Sequence, residues 1–497
     1  MRHVTGTLAS FALAGMWIAT ADSSPLPRLR AAMTCQTHAI RSLLGTAFLA
    51  VAAGCERPTI PTAVQEVNTA ELGASADRTL NRGNSGAFEG CDADNGGLTL
   101  PSGFCAVVVA SHVGLARHMA VRDNGDLYVA LDPDPISRVG GGILALRDND
   151  GDGRADEQAR FGSTGGNGID IVGNELYFAP DDRVVRYRLE PDALVPGMPP
   201  VTIVSGLVSN GDHHRKTVKI SADGATMFVN IGSEGNSCQV ENRVDFSPGI
   251  DPCPELTVRA GVWRFSATQE GQTLADGERY ATETRNMNAL AINPLDGELY
   301  GAQNGRDQLF DNWPNLFTAR DDALLPGEEL FLLVPGHLYG WPYCYWDGRR
   351  RKKVLAPEYG GNGRLIGRCA QRAAPIASYP AHWAPLGMTF YSRDQFPQRY
   401  WHGLFIANHG SRFDPSLQPA GPGYNVVFQR WRAGKPVGKW QEFAGGFARG
   451  DFSPKGAAHR PVDVAVAPDG SMYISDDKNG FIWRVRYVGN SRGKDKQ

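Results

Sequence analysis

Past residue 105 the chain repeats one short pattern of hydrophobic and polar positions six times. In each copy, two stretches with alternating apolar residues flank a turn rich in Gly, Asn and Asp. Side chains of a β-strand point alternately to its two faces, so the pattern predicts a β-hairpin at every copy. The six copies begin at Arg117, Asn167, Lys216, Met287, Pro385 and Arg460.

Six such hairpins predict an all-β fold, a six-bladed β-propeller with loop insertions on one face. A single hairpin cannot bury its apolar side, whereas blades arranged radially share a core and leave few strand edges exposed. The copies are unevenly spaced, and the extra residues between them are the predicted insertions. No long helical pattern separates the strands, which argues against a parallel α/β fold. We expect one propeller over residues 91–490.

The composition is that of a folded, turn-rich protein. Of the 497 residues, 42% are hydrophobic and 21% are charged, which excludes wholesale disorder. The 59 Gly and 32 Pro residues favour a turn-rich β architecture. The 50 Lys and Arg nearly balance the 53 Asp and Glu, for a net charge of −3, so nucleic-acid binding is not indicated.

Residues 1–55 are predicted to be a targeting segment. The uncharged run Ser42–Gly54 follows arginines and ends in small residues before Cys55, which resembles a bacterial lipoprotein signal with Cys55 as the lipidated residue. Translation would then start at Met33, and the mature protein would be exported to the periplasm or cell envelope, with a lipid anchor as its only membrane contact. An ordinary cleaved signal, or an anchor helix at Val4–Ala21, is the alternative. Residues 56–90 are predicted to be a flexible linker and 491–497 a disordered tail.

The six cysteines beyond this segment fall into three close pairs, which fits an exported, oxidised protein. Fifteen connectivities are formally open, and pairing of neighbours along the chain closes the shortest loops. A zinc site is the alternative, although no Cys-x-x-Cys or nearby His spacing supports it. The predicted disulfides are Cys91–Cys105, Cys238–Cys253 and Cys344–Cys369.

Polar phrases stand where the predicted hairpins begin or end. If the hairpins form inner blade strands, these side chains converge over the central channel in one binding cavity. The aromatic residues around Cys344 are either packing for a disulfide or a sugar platform. The basic run Arg349–Lys353 is either a solvated loop or a surface that attracts an anionic donor or acceptor. The polar phrases contain His213-His214, Arg285-Asn286, Asn304-Gly305-Arg306-Asp307, His382, His409, Arg412 and His459-Arg460.

Several of these phrases together resemble the soluble aldose and glucose dehydrogenases that depend on pyrroloquinoline quinone (PQQ), in particular their L-sorbosone dehydrogenase-like branch. The resemblance covers roughly residues 104–487. It implies a six-bladed propeller that binds PQQ and Ca²⁺ over the channel and oxidises a sugar or aldehyde by hydride transfer from C1 to the quinone. The motifs are DHHRKTVKISADG, TRNMNALAINP, YGWPYC, AHWAPLGMTFY, HGSRFDP with GYNVV, and HRPVDVAVAPDG.

The resemblance also implies roles for individual residues. His213 is the expected general base and Arg285 the expected catalytic cation, since a guanidinium suits the carboxylates of PQQ and a developing oxyanion. The backbone carbonyls of Gly305 and Arg306 are the expected calcium ligands. The residues expected to bind the cofactor are Asn286, Asn304, Arg306, His409, Arg412 and Arg460.

Three positions depart from the family pattern. Ser233 stands where an Asp orients the catalytic histidine, Val462 stands where a second arginine clamps the quinone, and Ser411 or Arg412 stands where a lysine is expected. No Cys-x-x-Cys-His motif for haem attachment is present, so the electrons are expected to leave to an external quinone or cytochrome.

An acidic run offers a possible second calcium site. Its carboxylates alternate and a Gly follows, as at the start of an EF-hand loop, but no Glu stands at the twelfth position. A turn stabilised by Asp side chains is the alternative. The residues of this run are Asp148, Asp150, Asp152 and Asp156.

Two other function classes remain open at this point. One is a propeller without catalysis that binds a protein or glycan partner. The other is a gluconolactonase-like hydrolase that holds a divalent metal with carboxylate and Asn side chains, although His and Arg outnumber carboxylates among the channel candidates.

Overall fold

The computed structural model describes residues 90–134 and 138–489. Within these residues the chain forms six larger β-sheets, each of which is one blade of a propeller with four antiparallel strands, and two small two-stranded sheets. The prediction of an all-β six-bladed propeller is confirmed. The targeting segment, the lipidated Cys55, most of the linker and the tail lie outside the described residues. No helix in the described part has the length and hydrophobicity needed to cross a membrane.

Each blade has four principal strands, numbered here from blade 1 to blade 6. From the first (inner) to the fourth (outer) strand, blade 1 consists of Leu115–Val121, Leu127–Asp132, Gly142–Arg147 and Glu157–Phe161. Blade 2 consists of Gly166–Val172, Glu175–Pro180, Arg183–Arg188 and Val201–Ser205. Blade 3 consists of Lys216–Ile220, Thr226–Ile231, Gly261–Ser266 and Glu278–Thr282. Blade 4 consists of Ala289–Ile292, Leu299–Gln303, Glu328–Leu332 and Ala377–Tyr379. Blade 5 consists of Pro385–Phe390, Leu404–Asn408, Asn425–Gln429 and Gln441–Ala444. Blade 6 consists of Pro461–Val466, Met472–Asp476, Ile482–Tyr487 and Phe104–Ala110.

The six predicted hairpins are the first two strands of the six blades. The first strand of each blade contacts the first strand of the next, so these six strands form a closed inner ring around the channel. The apolar faces of the sheets meet between neighbouring blades, and each of the six blade interfaces has its own cluster of buried hydrophobic residues. The alternation of apolar and polar residues in the sequence therefore reflects the packing of apolar faces between neighbouring blades.

The last blade is completed by the strand that comes first in the chain. Phe104–Ala110 pairs antiparallel with Ile482–Tyr487, from Phe104↔Tyr487 to Ala110↔Ile482. Phe104 anchors this strand, because its ring makes edge contacts with Phe396, Tyr400, Phe443 and Tyr487 at centroid distances of 4.8–5.4 Å. The ring of blades is thus closed by strand pairing, which leaves no open seam between first and last blade.

Long insertions gather where first strands begin and second strands end, here called the site face. Residues 232–260 connect the second and third strands of blade 3, and residues 304–327 do the same in blade 4. They include the helices Leu309–Asn312 and Ala319–Leu324. A third insertion, 333–376, runs up the edge of blade 3 through His337–Leu338, which pairs with Glu278–Thr282, and reaches the site face as the hairpin Cys344–Asp347 with Lys352–Leu355. The predicted insertions on one face are confirmed.

The remaining described elements are short. Gln272–Thr273 adds a parallel strand to blade 2, and Trp431–Arg432 with Lys435–Pro436 forms a small hairpin in blade 5. The 3₁₀ turns are Asn95–Gly97, Pro254–Thr257, Leu274–Asp276, Pro357–Tyr359, Gly367–Gln371, Gln398–Tyr400 and Pro415–Leu417.

All three local disulfides form in the structure. Cys91–Cys105 ties the segment before blade 6's closing strand to that strand. Cys238–Cys253 and Cys344–Cys369 each close a loop within an insertion of the site face. Each disulfide therefore ties an irregular segment to a neighbouring part of the chain; Cys105 and Cys344 lie on β-strands, and Cys238 and Cys253 lie in the blade 3 insertion.

Candidate functional site

Two neighbouring cavities lie at the site face. Residues that are consecutive in the chain, Arg285 with Asn286 and His409 with Gly410, line one cavity each. One has a volume of about 300 Å³ and is called the Arg460 cavity; its lining includes Arg285 and Gly410. The other has a volume of about 260 Å³ and is called the His213 cavity; its lining includes Asn286 and His409. The structure therefore brings the predicted polar phrases of blades 3 to 6 together, as the repeat pattern implies.

His213 is held by Ser233 in one tautomer. Its Nδ1 lies 2.9 Å from Ser233 Oγ and 3.2 Å from the Ser233 carbonyl oxygen, while Ser233 Oγ donates to the Gly235 carbonyl at 2.7 Å. Because a carbonyl oxygen can only accept, Nδ1 carries the proton, and Nε2 is left with its lone pair for another partner. Ser233 thus supplies the orienting hydrogen bond that the family pattern assigns to an Asp.

The charge state of His213 suits a base. Burial lowers the pKa of His213 well below its ordinary value, and the nearby positive charge of Arg285 lowers it further. The ring is therefore neutral at pH 7 and its Nε2 is free to accept a proton. His214, the adjacent residue, instead turns its Nδ1 to the Gly211 carbonyl at 3.1 Å, and its Nε2 lies 3.6 Å from Asp181.

Arg285 is buried at the centre of a hydrogen-bond network between the insertions. It donates to the Asn236 carbonyl oxygen and Oδ1 at 3.2 and 3.1 Å, to Asp307 Oδ2 at 3.1 Å, and to the Gly305 carbonyl at 2.8 Å. Although burial opposes ionisation, Arg285 and His382 hold the pKa of Asp307 well below its usual range. Arg285 and Asp307 together form a fixed ion pair on the wall of the Arg460 cavity.

The two residues predicted to bind calcium through their backbone carbonyls make different contacts, and a calcium site at these carbonyls stays a prediction. The Gly305 carbonyl accepts a hydrogen bond from the Arg285 guanidinium at 2.8 Å. The Arg306 side chain is 3% exposed and donates to both carboxylate oxygens of Glu358 at 2.6 Å, so its guanidinium does not reach the Arg460 cavity. Arg306 braces the insertion, whereas Gly305 lines the cavity with its backbone.

Asn286 and Asn304 bridge the inner strands. Asn286 accepts from Asn230 at 3.2 Å and donates to Asn304 Oδ1 at 3.3 Å, and Asn304 donates to the Pro385 carbonyl at 2.9 Å. This chain of amides crosses from blade 3 to blade 5 beneath both cavities. Asn304 therefore lines the Arg460 cavity and Asn286 the His213 cavity, with their hydrogen bonds largely made within the protein, and their contact with a cofactor stays a prediction.

His409 pairs with an aspartate that the sequence did not single out. His409 Nε2 lies 2.8 Å from Asp477 Oδ1, and Asp477 also forms an ion pair with Arg117. Burial lowers the pKa of His409 despite the charge of Asp477. Burial alone would raise the pKa of Asp477, but His409, Arg117 and Arg460 outweigh it and hold that pKa below its ordinary value. Arg460 donates from Nε to the His409 carbonyl at 3.1 Å, which links this cluster to the neighbouring cavity.

His382 and Glu328 complete the Arg460 cavity. His382 Nε2 lies 2.7 Å from the Asp322 carbonyl and so carries a proton, while Nδ1 lies 3.7 Å from Asp307. Burial works against the charged ring, but the hydrogen bond and the charge of Asp307 outweigh it, and the pKa of His382 is raised. Burial raises the pKa of Glu328 to about 7, although the carboxylate accepts from the Gly305 N–H at 2.7 Å.

The remaining candidates are placed as follows. Arg412 reaches the rim of the Arg460 cavity and stacks on Phe413 at 4.6 Å. The aromatic cluster around Cys344 is buried and packs the insertion, so it offers no exposed platform for a sugar; its members are Tyr339, Trp341, Tyr343, Tyr345 and Trp346.

The acidic run lies apart from both cavities. Asp148, Asp150 and Asp156 bring carboxylate oxygens within 4.8 Å of one another, and Asp152 does not join them. Asp148 and Asp156 also accept hydrogen bonds from the turn's own N–H groups, at distances from 2.7 to 3.4 Å. A calcium ion at this turn stays a prediction.

Sequence reasoning missed Arg117, Asp477 and Glu328. A positional signal exists for the first two. Counting back from the hairpin turn, Arg117 stands in the first copy of the repeat where Val462 stands in the last. Asp477 directly follows the second strand of its blade, as Asn304 and His409 do. Glu328 begins a third strand, a position that no other candidate shares.

A profile of the TrAA12-like family matches residues 98–488, which is most of the chain. The chain belongs to the TrAA12-like family. The match spans all six blades and both cavities, so the residues described above lie within the family domain. It confirms the predicted resemblance at the level of the family.

Comparison with known proteins agrees with this assignment. The PQQ domain of pyranose dehydrogenase from Coprinopsis cinerea, in its holo form, superposes with a TM-score of 0.63 at 19% identity, covering 78% of this chain and 97% of that one. A calcium structure of an AA12 carbohydrate-active enzyme from Trichoderma reesei gives 0.63 at 17% identity, covering 79% and 97%. At these identities the likeness is one of fold.

Among curated proteins, an aldose sugar dehydrogenase from Escherichia coli is 25% identical over 187 residues. The match covers 37% of this chain and 42% of that protein. The chain therefore aligns with less than half the length of this relative.

Proposed function

We propose that this protein is an oxidoreductase that oxidises the C1 hydroxyl of a sugar, or a sugar-derived aldehyde, with PQQ as its cofactor. The observation that carries the proposal is His213: a neutral imidazole with its Nδ1 proton fixed by Ser233 and a free Nε2 lone pair, beside an arginine-lined cavity. Such a group can take the hydroxyl proton while the C1–H bond breaks.

The lining of the Arg460 cavity fits PQQ chemically. PQQ is an aromatic tricarboxylate, and guanidinium groups bind carboxylates with paired, charge-assisted hydrogen bonds. Arg460 and Arg412 would hold carboxylates at the rim, and Arg285 would stabilise negative charge deeper in the cavity. When bound, PQQ would supply the acceptor for the hydride, that is, for the one proton and two electrons that leave C1 together. The names of the relatives, a PQQ domain and an aldose sugar dehydrogenase, point the same way.

The fit of calcium at its predicted position is incomplete. The Gly305 carbonyl already accepts a hydrogen bond from Arg285, so a calcium ion bound there would lie next to a buried positive charge. Within the described residues, the side-chain groups with metal-binding spacing lie at Cys238 with Glu255 and at the acidic run, and neither borders the cavities. This distribution gives no support to a hydrolase with a carboxylate-held metal. No step of the proposed reaction is assigned to calcium.

The roles of the chain's own residues follow from the geometry. His213 Nε2 accepts the substrate proton, and Ser233 keeps the ring in the productive tautomer. Arg285 places positive charge where the electrons arrive, and Asp307 fixes that guanidinium. Asn286 and Asn304 shape the floor between the two cavities.

The test is titration of purified protein with PQQ, with and without CaCl₂, followed by a panel of aldoses, uncharged aldehydes and L-sorbosone. We expect saturable binding and cofactor bleaching by at least one substrate. His213→Gln should lower kcat at least about 100-fold while PQQ still binds, because a general base typically contributes 10²–10⁴.

His337→Gln is the matched control, since this exposed histidine lies outside both cavities and should keep full activity. Absence of PQQ binding under both calcium conditions would refute the proposal. If His214→Gln loses activity and His213→Gln does not, the general base is His214 and the assignment to His213 is wrong.

A further inference from the structure

The insertion hairpin of blade 4 has a strongly basic tip on the site face. The cations of this tip and of the two segments that contact it are here called the basic surface; they are Arg320, Arg349, Arg350, Arg351, Lys352 and Arg364, all of them exposed.

Contacts join the three segments into one surface. Arg349 donates to Asp321 at 2.7 Å, which brings helix Ala319–Leu324 and its Arg320 to the hairpin. Arg350 donates to the Gly363 carbonyl at 2.7 Å, which brings the loop with Arg364 to the other side. Lys353, the last residue of the basic run, does not take part, since it is buried and paired with Glu329.

The charge of this surface differs from that of the whole chain. Its six cations are contacted by two carboxylates, Asp321 and Asp347, so positive charge remains in excess. The chain as a whole carries −3. Exposed Leu365, 48% accessible, lies beside Arg364. A cationic rim with an exposed apolar residue fits a macromolecular partner with an acidic face.

The same hairpin leads back to the site. Tyr345, on its first strand, lines a small internal cavity together with Arg285 and Gly305. From Tyr345 to Arg349 the chain spans four residues, which is at most ~14 Å of backbone. A protein bound to the tip would therefore lie close to the wall of the Arg460 cavity.

We propose that the basic surface docks an acidic one-electron redox protein that removes electrons from the enzyme; this inference rests on the proposed function. Oxidation of one hemiacetal to a lactone releases two electrons and two protons. Two ferric haem proteins would each accept one electron and become ferrous, and the two protons would pass to solvent. The surface steers the acceptor through charge, so its main effect is on the rate of association.

The test uses two acceptors with one haem and opposite charges: native cytochrome c, which is basic, and cytochrome c succinylated at its lysines, which is acidic. PQQ-loaded enzyme with saturating sugar should reduce the succinylated form at least about 10-fold faster at 10 mM salt. That advantage should fade towards 300 mM salt, where the screening length is well under 10 Å. Uncharged 1,4-benzoquinone reports turnover without a docking step.

The informative variant is Arg351→Glu/Lys352→Glu/Arg364→Glu, which leaves the ion pairs of Arg349 and Arg350 intact. It should slow reduction of succinylated cytochrome c about 10-fold at low salt and leave the benzoquinone rate unchanged. The matched control is Arg432→Glu/Lys435→Glu/Lys439→Glu. These exposed cations lie in and just after the small hairpin of blade 5, which follows the third strand of that blade and so lies on the opposite face.

Each outcome decides the matter. Equal or faster reduction of native cytochrome c at low salt would overturn the docking proposal while the benzoquinone rate upholds the oxidoreductase. Retention on a heparin column tests for binding of an anionic glycan. If the triple variant loses this retention but reduces the acidic cytochrome as fast as the parent does, the basic surface binds an anionic glycan instead. Failure to reduce even benzoquinone would remove the proposed function, and the docking proposal with it.

Discussion

At the scale of single residues, the clearest departure from the family pattern is Ser233 beside the candidate base. An Asp at this position would orient the imidazole and also stabilise its charged form. Ser233 keeps the first effect, through the 2.9 Å contact with Nδ1, but it adds no negative charge. Burial and the positive charge of Arg285 therefore keep the pKa of His213 depressed, because Ser233 adds no negative charge to offset them.

This difference predicts the pH dependence of the enzyme. Since the pKa of His213 is lowered, kcat/KM should stay level from pH 8 down past the ordinary histidine value and fall only below it. In Ser233→Asp the new carboxylate should raise the pKa of His213 by about one unit or more, so the acidic limb should move to higher pH. The pH profile of kcat/KM measures the shift directly.

Ser233→Ala serves as the companion variant. It removes the hydroxyl that accepts the hydrogen bond from His213 Nδ1 and adds no charge, so it should lower kcat with little movement of the acidic limb. An acidic limb that stays in place in Ser233→Asp would contradict the assignment of His213 as the titrating base.

At the scale of elements, the closing strand Phe104–Ala110 holds the ring of blades together. Phe104 is buried among four aromatic rings of blades 5 and 6, so its truncation leaves a cavity at the interface where the chain closes. Phe104→Ala should lower the free energy of unfolding by about 3–4 kcal/mol, measured by reversible denaturation.

Phe246→Ala is its counterpart on the surface. The Phe246 side chain is 52% exposed in the blade 3 insertion, so its loss should cost under about 1 kcal/mol. Equal destabilisation by the two substitutions would mean that strand closure contributes little to the stability of the propeller.

At the scale of the whole molecule, ring closure brings blade 1 against blade 6 and so places Arg117 at the site. Val462 stands where the family pattern expects a second clamp arginine, and Arg117 stands at the equivalent repeat position one blade further round the ring. Its guanidinium donates to Asn167 at 2.9 Å and pairs with Asp477, next to His409. We propose that Arg117 replaces the missing clamp residue from the neighbouring blade.

Arg117→Gln should therefore weaken PQQ binding about 10- to 100-fold, as expected for the loss of one charge-assisted contact. Titration of cofactor fluorescence or absorbance measures the affinity. Arg160→Gln, on the outer strand of the same blade, should bind PQQ as the parent does. Unchanged affinity in Arg117→Gln would leave Val462 without a functional substitute.

The sequence by itself determined the fold, the blade count, the local disulfide pairs and many of the residues that line the two cavities. Alternation with period two, interrupted by tight turns, encodes a half-buried hairpin locally, and six hairpins leave few ways to cover their faces. Residues at the ends of these hairpins must meet over the channel, which is why His213, Arg285, His409 and Arg460 could be named in advance.

Only the tertiary structure decided which side chains face a cavity and which face one another. Arg306 and Gly305 are neighbours in the chain, yet the Arg306 side chain pairs with Glu358, whereas the Gly305 carbonyl accepts a hydrogen bond from Arg285. Arg117 and Asp477 are separated by 360 positions and touch because the ring closes. Such contacts depend on the direction of a side chain and on the closure of the ring, neither of which is encoded in local periodicity.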